Sequence, residues 1–215
     1  MGTLQVGGTT LGTKNTSTNK IELENSFLKE SGSIVQVQHT QYGTGASETG
    51  NMTSLSIDTN YILQASGNSQ TGTGILQVTI TPKISGSKIW LQAHWFGEIN
   101  GDKMGDFVFF FFRDTSGGSS PTKLASGVTA GSPSHGQIGI STGALSYGQN
   151  NADTTPESAF FQYFDTHGQS TSQAIVYNVG FATSNSGCTQ VCTNRTVGNT
   201  GEVGVSSICA IELAP

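Results

Sequence analysis

The segment that most limits what this chain can fold into is the run at residues 107–112, which contains five phenylalanines and one valine. In a β-strand, successive side chains point to opposite faces of the sheet, so both faces of such a strand would be apolar. An exposed aromatic stripe promotes aggregation. Both faces must therefore be covered, either within one chain that places this strand centrally or by a neighbouring subunit.

A second predicted strand, at residues 88–99, is also apolar on both sides. One face would carry Ile89, Leu91, Ala93 and Trp95, and the other Trp90, Gln92, His94 and Phe96. Strands buried on both faces have near-continuous apolar runs, and two such strands favour a subunit interface over the single-chain alternative. The predicted interface residues are Trp90, Phe96, Phe110 and Phe112.

Alternating apolar and polar residues recur along the rest of the chain, with turn-forming residues between them. They occur at residues 33–39, 75–81, 174–182 and 204–213. The second of these segments ends at Pro82, which cannot donate to a sheet ladder. In the last one we expect Val205, Cys209, Ile211 and Leu213 to face the core.

No segment keeps a helical apolar repeat over three turns, so the predicted class is all-β. The number of strands suits an antiparallel β-sandwich with a jelly-roll-like arrangement, and a barrel stays open as an alternative. We expect two parts: residues 1–27 as an extended N-terminal docking arm and residues 28–215 as the sandwich. The alternative for the arm is a frayed terminus.

Composition excludes several classes of partner. Charged residues make up 11% of the chain, against roughly 25% in an average soluble domain. The net charge is −5 and no run of Lys and Arg occurs, so neither nucleic acid nor an anionic membrane is an expected partner. No apolar stretch approaches the roughly 20 residues of a membrane span. The first residues lack a signal-peptide pattern, so secretory export is not expected.

Several motifs, taken in order, resemble the β domains of phage tail-fibre and other virion proteins, especially those of cyanophages and marine phages. They are L-Q-V-G-G-T-T at residues 4–10, G-x-I-V-Q-V at 32–37, T-I-T-P at 79–82, S-K-I at 87–89, F-F-R-D at 111–114 and S-I-C-A-I-E-L at 207–213. Each is a common strand pattern, and the specificity lies in their order and spacing. The phenylalanine run and the loop with two cysteines depart from the family pattern.

The resemblance implies a trimeric jelly-roll-like domain on the surface of a phage particle, with no catalytic residues and no cofactor. The leading expectation is a short tail-fibre or receptor-binding protein that is made in the host cytoplasm. It would bind other virion proteins through the arm and a host surface glycan or protein through its outer part. The alternative is a capsid decoration (cement) protein, and the third is a glycan-acting enzyme.

Three further patterns contain residue types that can carry out catalysis or bind metal, but each favours a structural interpretation. Asp165 and His167 would share a strand face, but an Asp/His pair beside one of many serines is a weak indication of a triad. Residues 100–106 space their oxygens like a calcium loop, yet Phe111 stands where a bidentate Glu is needed. Cys188 and Cys192 are close enough in sequence for a disulfide, with two thiols or a metal pair as alternatives.

Overall fold

A computed structural model of the chain describes residues 3–6, 9–17, 21–23, 30–43, 51–53, 55–56, 59–65, 67, 69–99, 107–124, 156–183, 186–198 and 202–215. These residues form strands and irregular connections, and no helix occurs among them. The strands are arranged in three antiparallel sheets. The prediction of an all-β sandwich is confirmed.

The N-terminal sheet is a small meander of three strands. They are β1 (Thr3–Val6), β2 (Thr9–Lys14) and β3 (Ile21–Leu23). β2 pairs with β1 on one side and with β3 on the other. The two alternating pieces expected in the arm, around Leu4 and Glu22, are the outer strands of this sheet. The docking role of the arm stays a prediction.

The larger of the two remaining sheets is called the front sheet here. Its strands are β4 (Ile34–Tyr42), β5 (Asn51–Thr53), β8 (Lys88–Ile99), β11 (Glu157–Asp165), β13 (Gln190–Thr193) and β14 (Ser206–Leu213). β11 occupies one edge of β8. β14 and β13 share the other edge, at residues 88–94 and 97–99 respectively. β4 then pairs with β14, and β5 with β13.

The second sheet, the back sheet, contains the phenylalanine run. Its strands are β6 (Tyr61–Ile62), β7 (Gln77–Ile80), β9 (Phe107–Asp114), β10 (Thr122–Lys123) and β12 (Ile175–Thr183). β9 lies between β10 and β12. The other edge of β12 is shared by β7 and β6. The strand with five phenylalanines is thus a central strand.

The eight principal strands follow a jelly-roll path. The front sheet has the order β4-β14-β8-β11 and the back sheet the order β10-β9-β12-β7. Successive principal strands lie in opposite sheets, except for β9 and β10, which are neighbours in the back sheet. Each sheet therefore combines early and late parts of the chain, as a double Greek key requires.

The core lies between the two sheets and is dominated by aromatic rings. Trp95 of the front sheet contacts Phe109 of the back sheet, with ring centroids 5.0 Å apart. Phe161 stacks on Phe109 at 5.3 Å. The predicted inward faces of β8 and β9 are confirmed: Ile89, Leu91, Ala93, Trp95, Phe107, Phe109 and Phe111 are all buried in one cluster. Burial of so much apolar surface supplies the main stabilising contribution to the sandwich.

The predicted orientation of the last strand is wrong. Cys209 pairs with Gln92, and Ile211 pairs with Trp90, so both point to the outer side of the front sheet. Ile208, Ala210 and Glu212 face inward instead. Because side chains alternate strictly along a strand, one inward residue fixes the others. The buried carboxyl of Glu212 sets a register that hydrophobicity alone does not indicate.

Candidate functional site

The outer face of the front sheet brings four strands into a regular array of side chains. Residues that pair across the strands project on the same side, so the pairing registers define three rows. Reading from β11 through β8 and β14 to β4, the rows are Phe164–Trp90–Ile211–Val37, Gln162–Gln92–Cys209–His39 and Phe160–His94–Ser207–Gln41. None of these positions carries Asp, Glu, Lys or Arg.

This array, called the front face here, is uncharged and combines one apolar row with two rows of mostly polar side chains. Of its twelve side chains only Ile211 is buried. Phe160 is 59% exposed, Phe164 is 52% exposed and Val37 is 50% exposed. Ile34, which pairs with Leu213 in the next row, is also exposed. Among the described residues, the other exposed large hydrophobic side chains are Val203 and Val205, in the segment that leads into β14, and Leu4 in the N-terminal sheet.

One end of the apolar row is formed by an aromatic stack. The rings of Trp90 and Phe164 are nearly parallel, with centroids 5.4 Å apart. The indole N–H of Trp90 donates to Oε1 of Gln162 at 3.1 Å. With its polar atom satisfied by a neighbour in the same face, the indole presents an apolar surface.

Two of the four predicted interface residues lie on this face or at its border. Trp90 is half-buried in the apolar row, and Phe96 is half-buried beside Gly204. A Cβ atom at position 204 would come within 2.4 Å of the Phe96 ring. The glycine is therefore what allows the chain entering β14 to pass so close to Phe96.

The other two predicted interface residues require a correction, because the chain itself buries them. Phe110 and Phe112 point to the outer side of the back sheet and pack with Ile62 and Ala182 in a second apolar cluster. Lys123 covers Phe110, with its Nζ 4.1 Å from the ring centroid. A second subunit is not needed to shield the phenylalanine run, so the single-chain alternative applies to this strand.

The amine of Lys123 keeps a hydrogen-bond partner at this partly buried position. Its Nζ donates to Oδ1 of Asn60 at 3.1 Å. Burial lowers the pKa of Lys123 to about 8. The aliphatic stem and the amine together close the apolar cluster while the polar atom keeps a partner.

The two most exposed aromatic residues of the front face, Phe160 and Phe164, were not predicted as interface residues. Residues 158–164 contain four aromatic side chains, and those of the neighbouring Phe160 and Phe161 fall on opposite faces of the strand. The detectable signal was that two neighbouring aromatic residues in a strand cannot both face the core.

A polar cluster closes the end of the sandwich near Asp165. The guanidinium of Arg113 donates to both carboxylate oxygens of Asp165, at 2.9 and 3.1 Å. The hydroxyl of Tyr177 donates to the same carboxylate at 2.7 Å. Burial and the neighbouring carboxylate raise the pKa of Tyr177, so its proton stays on the hydroxyl. Asp165 lies in the front sheet, whereas Arg113 and Tyr177 lie in the back sheet, so the cluster links the two sheets.

His167 lies beside this cluster, but its hydrogen bonds run opposite to those of a nucleophilic triad. The backbone N–H of Gln169 donates to Nδ1 of His167 at 2.9 Å. Nδ1 is therefore the unprotonated nitrogen, and Nε2 carries the proton toward Oγ of Ser87, 3.4 Å away. A triad needs Nδ1–H to donate to the Asp and Nε2 to accept from the Ser. Burial lowers the pKa of His167, which keeps the ring neutral in this arrangement.

Glu212 fixes the loop between β7 and β8 at the same end of the sandwich. Its fully buried carboxylate accepts the backbone N–H groups of Lys83 and Ile84, at 2.8 and 3.0 Å. The amide of Gln36 donates to it at 2.6 Å. These three donors compensate the cost of burying a carboxylate. Its role is to connect β4, β14 and the loop that precedes β8.

Cys188 and Cys192 are separate thiols rather than a disulfide. Cys188 belongs to the main core cluster, whereas Cys192 pairs with Glu98 on the other side of β13. Burial raises the pKa of Cys188 to about 11. Within the described part of the chain, no group of three or more His, Cys, Asp or Glu could hold a metal ion.

Comparisons with known proteins add no assignment to this geometry. The chain matches no protein-family model, and no curated protein matches it at a significant level. Among the described residues, no helix is long and apolar enough to cross a membrane. Residues 100–106, whose spacing resembles a calcium loop, lie outside the described residues.

Proposed function

We propose that this chain is a non-catalytic structural protein of a tailed bacteriophage particle, namely a short tail-fibre or receptor-binding protein that works as a homotrimer. The N-terminal segment would attach it to other virion proteins, and the sandwich would face outward. The three-fold symmetry comes from the resemblance to phage virion domains. The jelly-roll path supports the structural class without specifying a function.

The motifs that resemble virion proteins contribute polar residues that form hydrogen bonds within the fold, and this supports a structural role for them. The F-F-R-D motif ends with Arg113, which binds Asp165, and with Asp114, which accepts hydrogen bonds from Ser116 and Gly118. The C-terminal motif supplies Glu212. Its carboxylate accepts the backbone N–H groups of Lys83 and Ile84, which directly follow the T-I-T-P motif. The polar residues of these motifs thus hold strands and loops together.

The observation that carries the proposal is the front face itself. A stable single domain can bury its large aromatic residues, as the back sheet does, yet Phe160 and Phe164 are more than half exposed. Exposed contiguous apolar surface marks sites of interaction with another molecule. An assembly protein of a particle surface needs such a face, and a self-sufficient monomer does not.

The proposal is tested by locating the protein on purified particles of the phage that carries it. Labelling with an antibody against the sandwich, viewed by electron microscopy, should mark the tail region. Quantitative mass spectrometry should give a copy number far below that of the major capsid protein. Label spread over the head with a copy number near that of the capsid protein would assign the decoration function instead. Absence from the particle would refute both.

A further inference from the structure

From the front face we infer the partner that covers it: other copies of this chain, with the front faces of the subunits packed together around the symmetry axis of the trimer. This inference rests on the proposed function, because it names the contact by which the subunits associate. The argument has three steps, which concern the charge of the face, its hydrogen-bonding groups and its size.

The first step is the absence of charge. In a symmetric contact, residues near the axis meet their own counterparts, so a charged row would face a row of like charge. The three rows between Trp90 and His94 carry no formally charged side chain among their twelve positions. A partner with a charged surface would lose hydration there and gain no ion pair. The same uncharged surface on a second copy avoids that cost.

The second step is the chemistry of the polar row. Its central members, Gln162 and Gln92, are primary amides, which have both donors and an acceptor. Amides of two copies can therefore pair with each other in either direction, which is the property that a self-complementary contact needs. The apolar row on one side and the ring of Phe160 on the other would limit the access of water to these hydrogen bonds.

The third step is size. Four strands at a spacing of about 4.8 Å and five outward positions along β8, each about 6.7 Å from the next, give a flat area of about 500 Å². In this area the three uncharged rows are bordered by Phe96 at one end and by the exposed Lys88 at the other. Protruding rings and the exposed Ile34 at the edge enlarge it. A specific interface buries about 800 Å² on each partner. Two such faces would bury about 1,000 Å² in total, which is at the lower end of the range for specific interfaces.

The test compares two lysine substitutions at exposed strand positions on opposite sheets. Phe160→Lys places a charge in the front face, whereas Thr79→Lys places one on the exposed outer side of β7 in the back sheet. Light scattering coupled to size-exclusion chromatography should give an oligomer for the unsubstituted chain and for Thr79→Lys. Phe160→Lys should be monomeric, with the subunit dissociation constant raised at least about 30-fold, as expected when an aromatic contact residue is replaced by a charge.

Near-ultraviolet circular dichroism checks that Phe160→Lys keeps its packed core, and Gln162→Lys provides a second charge insertion if it does not. An unchanged oligomer mass for folded Phe160→Lys and Gln162→Lys would overturn the inference while leaving a homo-oligomeric virion protein intact. A chain without residues 1–27 that becomes monomeric while Phe160→Lys stays oligomeric would assign the contact to the N-terminal segment. A monomeric unsubstituted chain would overturn the inference and the oligomeric state, and the particle labelling would still decide the virion function.

Discussion

The outer faces of both sheets carry phenylalanines, but the surroundings of these side chains differ. On the back sheet, Phe110 and Phe112 are buried against Ile62 and Ala182, with Lys123 above them. On the front sheet, Phe160 and Phe164 project from the edge strand β11 and stay more than half exposed. The difference teaches that an apolar outer face becomes part of the fold only where the chain supplies its own cover. Where it does not, the face is available for a partner.

The largest difference between the two faces should appear when a phenylalanine is truncated. Phe110→Ala should lower the free energy of unfolding by about 3–5 kcal/mol, because it leaves a cavity under covering residues. Phe160→Ala should change the unfolding of the monomer by less than about 0.5 kcal/mol, as exposed substitutions do. Urea denaturation followed by fluorescence measures both.

Protein concentration provides the control for that pair. The effect of Phe110→Ala should not depend on concentration, since its environment lies within one chain. The effect of Phe160→Ala should grow with concentration as association contributes to stability. Equal losses for both variants at low concentration would contradict the contrast between a covered and an open face.

A second comparison uses two glycines that lie against aromatic rings, one on each outer face. A Cβ at position 180 would lie within 2.5 Å of the Phe112 ring and 2.7 Å of the Phe110 ring. Because both rings are buried, Gly180→Ala should cost about 1–3 kcal/mol through overpacking. Gly204→Ala meets the half-exposed Phe96, whose ring has solvent beside it, so its cost should be smaller. Thermal unfolding of the two variants measures the difference, and a larger loss for Gly204→Ala would contradict it.

Acid should weaken the interior of the sandwich rather than the front face. Burial holds the pKa of His167 below its ordinary value of 6.5. The unfolded chain therefore takes up a proton on this residue at a higher pH than the folded chain. The stability that follows from the neutral His167 is complete above about pH 6.5 and is lost as the pH falls through the lowered pKa of the folded state.

The measurement is the urea midpoint of wild type and His167→Gln across this range. Wild type should lose stability on acidification, and the stability of His167→Gln should depend less on pH.

A second loss of stability is expected at lower pH from Asp114. Burial alone would raise its pKa, but hydrogen bonds from Ser116 and Gly118 together lower it below 3.8. The stability that the ionised Asp114 contributes is present above about pH 3.8 and disappears as the pH falls through the lowered pKa of the folded state. Identical pH profiles for wild type and His167→Gln would show that His167 does not contribute to the pH dependence of stability.

The fold class and the interior faces of β8 and β9 could be predicted from alternation and composition. The inward set of β14 could not, because Glu212 looks like a solvent-exposed residue until its three donors are known. The interface set was half wrong for a related reason. Alternation shows that Phe110 and Phe112 need a cover, but which part of the chain supplies it depends on long-range packing. Ile62 and Lys123 are distant in sequence from each other, and nothing in their local pattern marks them as that cover.

The smallest expected effect concerns the reactivity of the three cysteines, and it separates the two buried thiols from the one on the front face. Cys188 and Cys192 are buried, and burial raises the pKa of both thiols, so alkylation of the folded protein should be slow at these positions. Cys209 is only half-buried, in the middle row of the front face beside Gln92. If copies pack through that face, Cys209 is protected in the oligomer and becomes accessible in the monomeric Phe160→Lys variant.

Iodoacetamide labelling followed by peptide mass spectrometry gives the rate at each cysteine. Cys209 should react faster in Phe160→Lys than in the unsubstituted chain, while Thr79→Lys should leave its rate unchanged. Cys188 serves as the internal reference, because its place in the core is the same in the monomer and the oligomer. A higher rate at Cys188 in Phe160→Lys would mean that the substitution loosens the core. An equal Cys209 rate in the oligomer and the monomer would mean that copies meet somewhere other than the middle of this face.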